Sequence, residues 1–162
     1  MVWLGLTLIV ILSCFGGVLL FGAPYLPTLT YQVQVALELI DLQPGQTLLE
    51  LGSGDGRVLI AAAQKGWRVT GYELNPLLVI ISWLRTRRYR QLVTVRWGNF
   101  WRKNWPVTDG IFAFLLPRYM TKLSNKVMHS SNKPVRLVSF AFTVPGKQPV
   151  RTRDGVYLYE YE

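Results

Sequence analysis

Residues 48–60 read LLELGSGDGRVLI: an apolar run that closes on an acid, three glycines within five positions, then a helix-forming segment. A buried strand that enters a helix through so many glycines admits few architectures. The backbone there must bend sharply and leave room beside itself, which is what a ligand-approaching turn in an open α/β sheet requires.

The rest of the chain repeats the alternation. TLLELG (47–52) reads as a buried strand and GRVLIAAAQKG (56–66) as a helix stopped by Gly66. RVTGYE (68–73) is a second strand, and the helix at 75–89 takes Asn75 as N-cap and Pro76 as its first residue. Further strands are predicted at 92–99, 110–117 and 135–142, with a helix at 118–131. Upstream, the apolar spacing from Tyr31 to Leu42 predicts a short packed helix that QPGQ ends. Asp154-Gly155 between two strand-like runs predicts a hairpin. Together these give an α/β fold: a Rossmann-like, doubly wound, mostly parallel sheet with a C-terminal antiparallel hairpin at one edge.

Length and composition narrow the picture. The 162 residues suffice for one domain with a real core. The single cysteine, Cys14, forms no internal disulfide, the absence of a Cys/His cluster speaks against a metal, and the lone His129 gives little basis for a histidine triad. No charged side chain occurs from Val2 to Leu37, and residues 2–23 are apolar over the length a bilayer-crossing helix needs. The expected organisation is therefore a transmembrane anchor at 1–23, a proline-stiffened connector at 24–30 and a catalytic domain at 31–162. All 18 Lys and Arg lie at or beyond Arg57, against 9 acids. Such a basic domain suits nucleic acid, anionic lipid or an acidic partner, and favours the cytoplasmic side of the membrane. With no basic amphipathic leader, a prokaryotic inner membrane is the simpler location. The cluster RTRRYR (85–90) suits either anionic headgroups or a helix C-terminus.

Spacing sorts the ligands. No Lys-Ser/Thr pair follows the glycines as a phosphate loop needs, and Arg57 stands where a dinucleotide fingerprint has its third glycine. Glu50 would repel a pyrophosphate but suits a cationic group. Glu73 ends the second strand about 20 residues on, where a carboxylate accepts ribose hydroxyls. An adenosine without phosphate but with a positive tail is S-adenosyl-L-methionine.

ELGSGDGR, GYELNP and GNFW resemble the nucleotide-binding motifs of class I S-adenosylmethionine-dependent methyltransferases. Together with PYLPTLTYQV, FLLP and the N-terminal apolar run, they resemble a membrane-anchored protein-lysine N-methyltransferase family. Mitochondrial members of that family act on the c-ring protein of ATP synthase and on the adenine nucleotide translocase. The resemblance implies that Glu50, Gly52, Ser53 and Gly54 line the amino-acid part of the cofactor, Glu73 its ribose and Leu74 its adenine. Asn99 of GNFW stands where relatives carry an acid that meets the adenine amino group, and its amide carbonyl would accept the same bond without charge assistance. Tyr25, Pro27 and Thr28 would line the substrate channel, and Pro117 and Tyr119 of LLPRY would border the target amine. No residue identifies itself as a general base. The target amine belongs to a membrane-proximal protein on this reading, with nucleic acid disfavoured. A lipid or lipophilic small-molecule substrate, or a non-catalytic cofactor-binding membrane module, are the alternatives.

Overall fold

The computed structural model describes Gly5, residues 26–130 and residues 133–162. The expected span at 1–23, apart from Gly5, lies outside the described residues. Among the described residues no helix is long and apolar enough to cross a membrane. They form a seven-stranded sheet of β1 (Thr47–Leu51), β2 (Arg68–Glu73), β3 (Val93–Trp97), β4 (Gly110–Ala113), β5 (Val135–Phe140), β6 (Arg151–Arg153) and β7 (Val156–Tyr161). The helices are α1 (Thr30–Ile40), α2 (Arg57–Gln64), α3 (Pro76–Thr86) and α4 (Met120–Ser130).

Strand order is β3-β2-β1-β4-β5-β7-β6, with β1 parallel to both β2 and β4 and the winding direction changing between them. The hairpin is antiparallel as expected, but its last strand inserts between β5 and β6. Burial decides this. Val156, Leu158, Tyr159 and Tyr161 need cover, whereas the RTR of β6 is exposed throughout and takes the edge.

Two hydrophobic clusters sandwich the sheet. One, on the side of α1 and α2, joins Val35, Ile40, Leu59, Trp67, Val69, Phe112 and Leu158. The other, on the side of α4, joins Leu49, Leu51, Tyr72, Ile111, Met120, Leu123 and Tyr159. Burial of both sheet faces explains why the central strands read as continuous apolar runs. Gly110 is required where α1 crosses the sheet, because a Cβ there would lie 2.6 Å from Ile40 Cδ1. Part of the basic excess is structural: Arg136 donates to the carbonyls of Ile40 and Asp41, and Arg151 to that of Leu39, which satisfies the C-terminus of α1.

Several boundaries differ from the sequence reading. Strand β4 stops at Ala113, and Pro117–Tyr119 forms a 3-10 turn before α4 begins at Met120. Proline lacks the N–H and fixes the backbone torsion that such a first turn accommodates. The third helix is capped as expected, Asn75 Oδ1 accepting from Leu77 N at 2.9 Å, but its α-helical part ends at Thr86 and continues as a 3-10 turn over Arg87–Tyr89. There Thr86 Oγ1 bonds back to Ser82 O at 2.8 Å, the side-chain contact that loosens a helix end.

Candidate functional site

The glycine turn sits at the carboxyl ends of β1 and β2, beside the change of winding direction. Gly52, Gly54 and Gly56 hold φ of 94°, 53° and 81°, a left-handed run that only glycine adopts without strain. Gly52 N and Ser53 N both donate to Tyr72 O at 2.9 Å, which pins the turn to β2. A Cβ built on Gly52 meets nothing within 4 Å, so open space lies over this residue. At Gly56 the need is steric as well, since a Cβ would lie 2.6 Å from Ser82 Oγ of α3.

Glu73 is buried, and its carboxylate accepts three backbone N–H groups at 2.8 Å. Oε2 takes Gly54 N, and Oε1 takes Leu74 N and Asn75 N. The acid thereby ties the glycine turn to the N-terminus of α3, where a carboxylate is also favoured by the helix dipole. Glu50 has no comparable support. It is 3% exposed, and its Oε2 has no hydrogen-bond partner. Burial, and then the carboxylates of Glu73 and Asp55, lift its pKa well above the ordinary value. Ser53 Oγ is likewise buried without a partner.

A third acid completes the turn. Burial raises the Asp55 carboxyl, but the hydrogen bonds and charges of Arg57 and Arg85 outweigh it and leave the pKa below the usual carboxylate value. Arg57 Nε and Nη2 reach Asp55 at 3.0 and 2.9 Å, while its Nη1 donates to Thr28 O at 2.9 Å. The segment entering α1 is thus fastened to the glycine turn through one guanidinium. Arg85 bonds to the Asp55 carboxylate and carbonyl, so this member of the 85–90 cluster turns towards the glycines instead of standing free for headgroups.

The other expected site residues are dispersed around this centre. Leu74 is partly buried and follows Glu73 directly; its carbonyl accepts Trp97 Nε1 at 3.0 Å. Asn99 Oδ1 accepts Trp101 N at 2.9 Å, capping a short 3-10 turn. Its amide nitrogen is the group left for a ligand. Thr28 is buried and Pro27 exposed, and Tyr25 lies outside the described residues. Pro117 is exposed, whereas the Tyr119 ring is partly buried, 6.0 Å from that of Trp101 and 4.9 Å from the Arg118 guanidinium.

Sequence reading missed an aromatic group on the same sheet edge. Leu51 is in register with Ala113, and Ala113 with Ser139, so the next row outward carries Gly52, Phe114 and Phe140. The Phe114 ring lies 4.7 Å from Phe140 and 6.4 Å from Phe142, all three partly buried. Between the last two, Ala141 holds φ of 69°, a left-handed conformation costing about 1 kcal/mol in a non-glycine residue. Ser139 Oγ donates to Phe142 O at 2.7 Å and Ala141 N to Gly155 O at 2.8 Å, which hold the bend. The sequence signal for it was the alternation of GIFAFLLP, which sends Phe114 past the end of β4.

A family model described as the ANTKMT methyltransferase domain matches residues 50–151. The chain is 33% identical over 144 residues to the adenine nucleotide translocase lysine N-methyltransferase of Mus musculus, covering 85% of this chain and 62% of that protein. It is 30% identical over 145 residues to the Homo sapiens lysine N-methyltransferase that acts on the c-ring protein of ATP synthase, covering 85% and 61%. The chain therefore spans about three-fifths of the length of these relatives. A crystal structure of an RNA methyltransferase from Salinibacter ruber, in complex with S-adenosyl-L-homocysteine, superposes with a TM-score of 0.77 at 30% identity, covering 84% of this chain and 92% of that one.

Proposed function

Given that the chain belongs to the ANTKMT methyltransferase domain family, we propose that it transfers a methyl group from S-adenosyl-L-methionine to lysine side chains of a membrane or membrane-proximal protein. The observation that carries the reading is the buried, unpartnered Glu50 carboxyl beside the open space over Gly52. A cation with an adjoining small polar group would supply what Glu50 and Ser53 lack, and the amino-acid end of this cofactor has both. The residues present fit the group.

When bound, the cofactor supplies an electrophilic methyl on a positively charged sulfur. Glu50, Gly52, Ser53 and Gly54 would hold its amino-acid portion, Glu73 the ribose, and Leu74 the adenine. With three N–H donors already on Glu73, about one acceptor site remains on its carboxylate, so it engages one ribose hydroxyl instead of two. Asn99, its carbonyl engaged by Trp101, offers its NH2 and therefore meets an acceptor on the adenine edge. Phe114, Phe140 and Phe142, one row along the sheet edge, form the floor for the target amine, bordered by Pro117 and Tyr119. Aromatic surroundings desolvate a lysine and lower its pKa, so that the neutral amine is presented without a dedicated base. The same ring faces hold the alkylammonium product.

The domain runs from residue 31 to 162 in this reading, with residues 24–30 as connector and 1–23 as a single-pass anchor placing the domain on the cytoplasmic side. The uncharged N-terminal run supports the anchor. The Arg57–Thr28 bond supports a connector that delivers Tyr25, Pro27 and Thr28 next to the glycine turn. Incubation of the protein with membranes and methyl-labelled cofactor tests the function. Label recovered as methyl-lysine after acid hydrolysis is the expected result. Label confined to the lipid phase or to RNA, or no cofactor binding by calorimetry, refutes it.

A further inference from the structure

Helix α3 packs against β2 and β3 at one edge of the sheet and leaves its outer face uncovered. On that face Ile80, Trp83 and Leu84 are 55%, 61% and 48% exposed, at the i, i+3, i+4 spacing of a single stripe. One turn further on, the same stripe carries Arg87 and Arg88, both exposed, with exposed Arg90 following. Trp97, 67% exposed at the end of β3, joins the patch near the start of the helix through its bond to Leu74 O. Arg87 and Arg90 form no ion pair among the described residues, and Arg88 lies over the Tyr89 ring at 5.1 Å.

The charges are segregated across the fold. Of the 9 acids, Glu50, Asp55 and Glu73 are buried at the glycine turn. Asp109 is engaged by Thr47 and Lys133. Glu38 and Asp41 belong to the C-terminal half of α1, and Asp154, Glu160 and Glu162 to the hairpin at the opposite edge of the sheet. No acid faces outward on α3, the 3-10 turn after it, or β3.

We propose that this outer face of α3, with Arg87, Arg88, Arg90 and Trp97, docks the domain on an anionic lipid bilayer. Aliphatic side chains beside tryptophan on one helix face, followed by arginines and free of acids, have the chemistry of a helix lying in the headgroup region. Nucleic acid would find few phosphate partners among Ile80, Trp83 and Leu84, whereas acyl chains accept all three. The arginines gain from anionic headgroups what no neighbouring acid gives them. Docking is independent of the methyl-transfer reading and of the N-terminal run. It holds the catalytic domain against the surface in one orientation.

The test uses the full chain with Cys14→Ser and an environment-sensitive fluorophore on Ile80→Cys, or on Met128→Cys as a control on the other side of the sheet. Vesicles are phosphatidylcholine with or without phosphatidylglycerol, and contain a lipid-phase quencher. The expected result is quenching at position 80 but not at 128, and only with phosphatidylglycerol. Adding Arg87→Gln and Arg88→Gln then lowers the docking constant about 25-fold, from roughly fivefold per arginine. Equal quenching at both positions, or quenching indifferent to phosphatidylglycerol and to the arginines, overturns the proposal. So does an emission change that follows protein concentration without lipid, which marks a second copy, or one driven by added RNA instead of vesicles.

Discussion

Replacing Glu73 by Gln changes one atom and one charge, and it probes the joint between the glycine turn and α3. In the native protein two carboxylate oxygens accept three N–H groups, each at 2.8 Å. The glutamine oxygen, placed at the Leu74 and Asn75 amides, keeps two bonds without charge assistance. Its NH2 then faces the Gly54 N–H, donor against donor. A hydrogen bond to a charged group contributes about 1.5–3 kcal/mol and neutral ones about half as much. Against this loss, neutralising residue 73 removes one of the two carboxylates that disfavour ionised Glu50. The expected net loss is about 2–3 kcal/mol, which in a domain of this size lowers Tm by about 6–10 °C. Affinity for S-adenosylmethionine falls at least tenfold, because both the turn and the ribose acceptor are altered. Thermal melting followed by circular dichroism, with calorimetric titration of the cofactor, measures both. A variant that melts within about 2 °C of wild type and binds the cofactor equally well would refute the assignment of Glu73 as the link between turn and helix.

Glu50 gives the opposite stability response. Its pKa in the folded state is raised, so the unfolded chain gives up that proton more readily and Glu50 costs stability as pH rises from the ordinary carboxylate range through its folded value. Glu50→Gln is therefore expected to be at least as stable as wild type at neutral pH, with the difference vanishing in acid, yet to bind the cofactor at least tenfold more weakly. A strongly destabilised variant, in urea titrations across pH, contradicts the unpartnered carboxyl. Asp55 has the reverse sign: its lowered pKa stabilises the fold above the ordinary carboxylate value, and that contribution disappears as the pH falls below it. Gly52→Ala should cost only about 1 kcal/mol from its positive φ, because its Cβ meets no neighbour, but should abolish cofactor binding by filling the open space. Gly71→Ala should instead destabilise by about 1–3 kcal/mol, its Cβ lying 2.7 Å from Ser53 Cβ and 2.9 Å from Leu59 Cδ2. If the two substitutions behave alike in melting and binding, the placement of the ligand space over Gly52 is wrong.

What the sequence by itself determined is the part of this protein governed by local rules. Glycines at 52, 54 and 56 announce a left-handed turn, Asn75-Pro76 starts a helix, and apolar runs of strand length mark strands buried on both faces. These signals depend on neighbours in the chain, and the structure carries each of them. The acids Glu50 and Glu73 were legible for a similar reason, as strand-end residues whose spacing from the glycines puts them at one edge of the sheet. What only the tertiary structure decided are matters of partner choice over long separations. Nothing local says that Glu73 spends its oxygens on Gly54, Leu74 and Asn75, that Asn99 caps its own turn, or that Arg85 and Arg57 converge on Asp55. The insertion of β7 beside β5 depends on which strand most needs cover. The aromatic row of Phe114, Phe140 and Phe142 exists because strand register sets residues 26 positions apart (Phe114 and Phe140) side by side. Chain-local propensity fixes torsions and periodicities; which side chains meet across the sheet follows only once register and packing are in place.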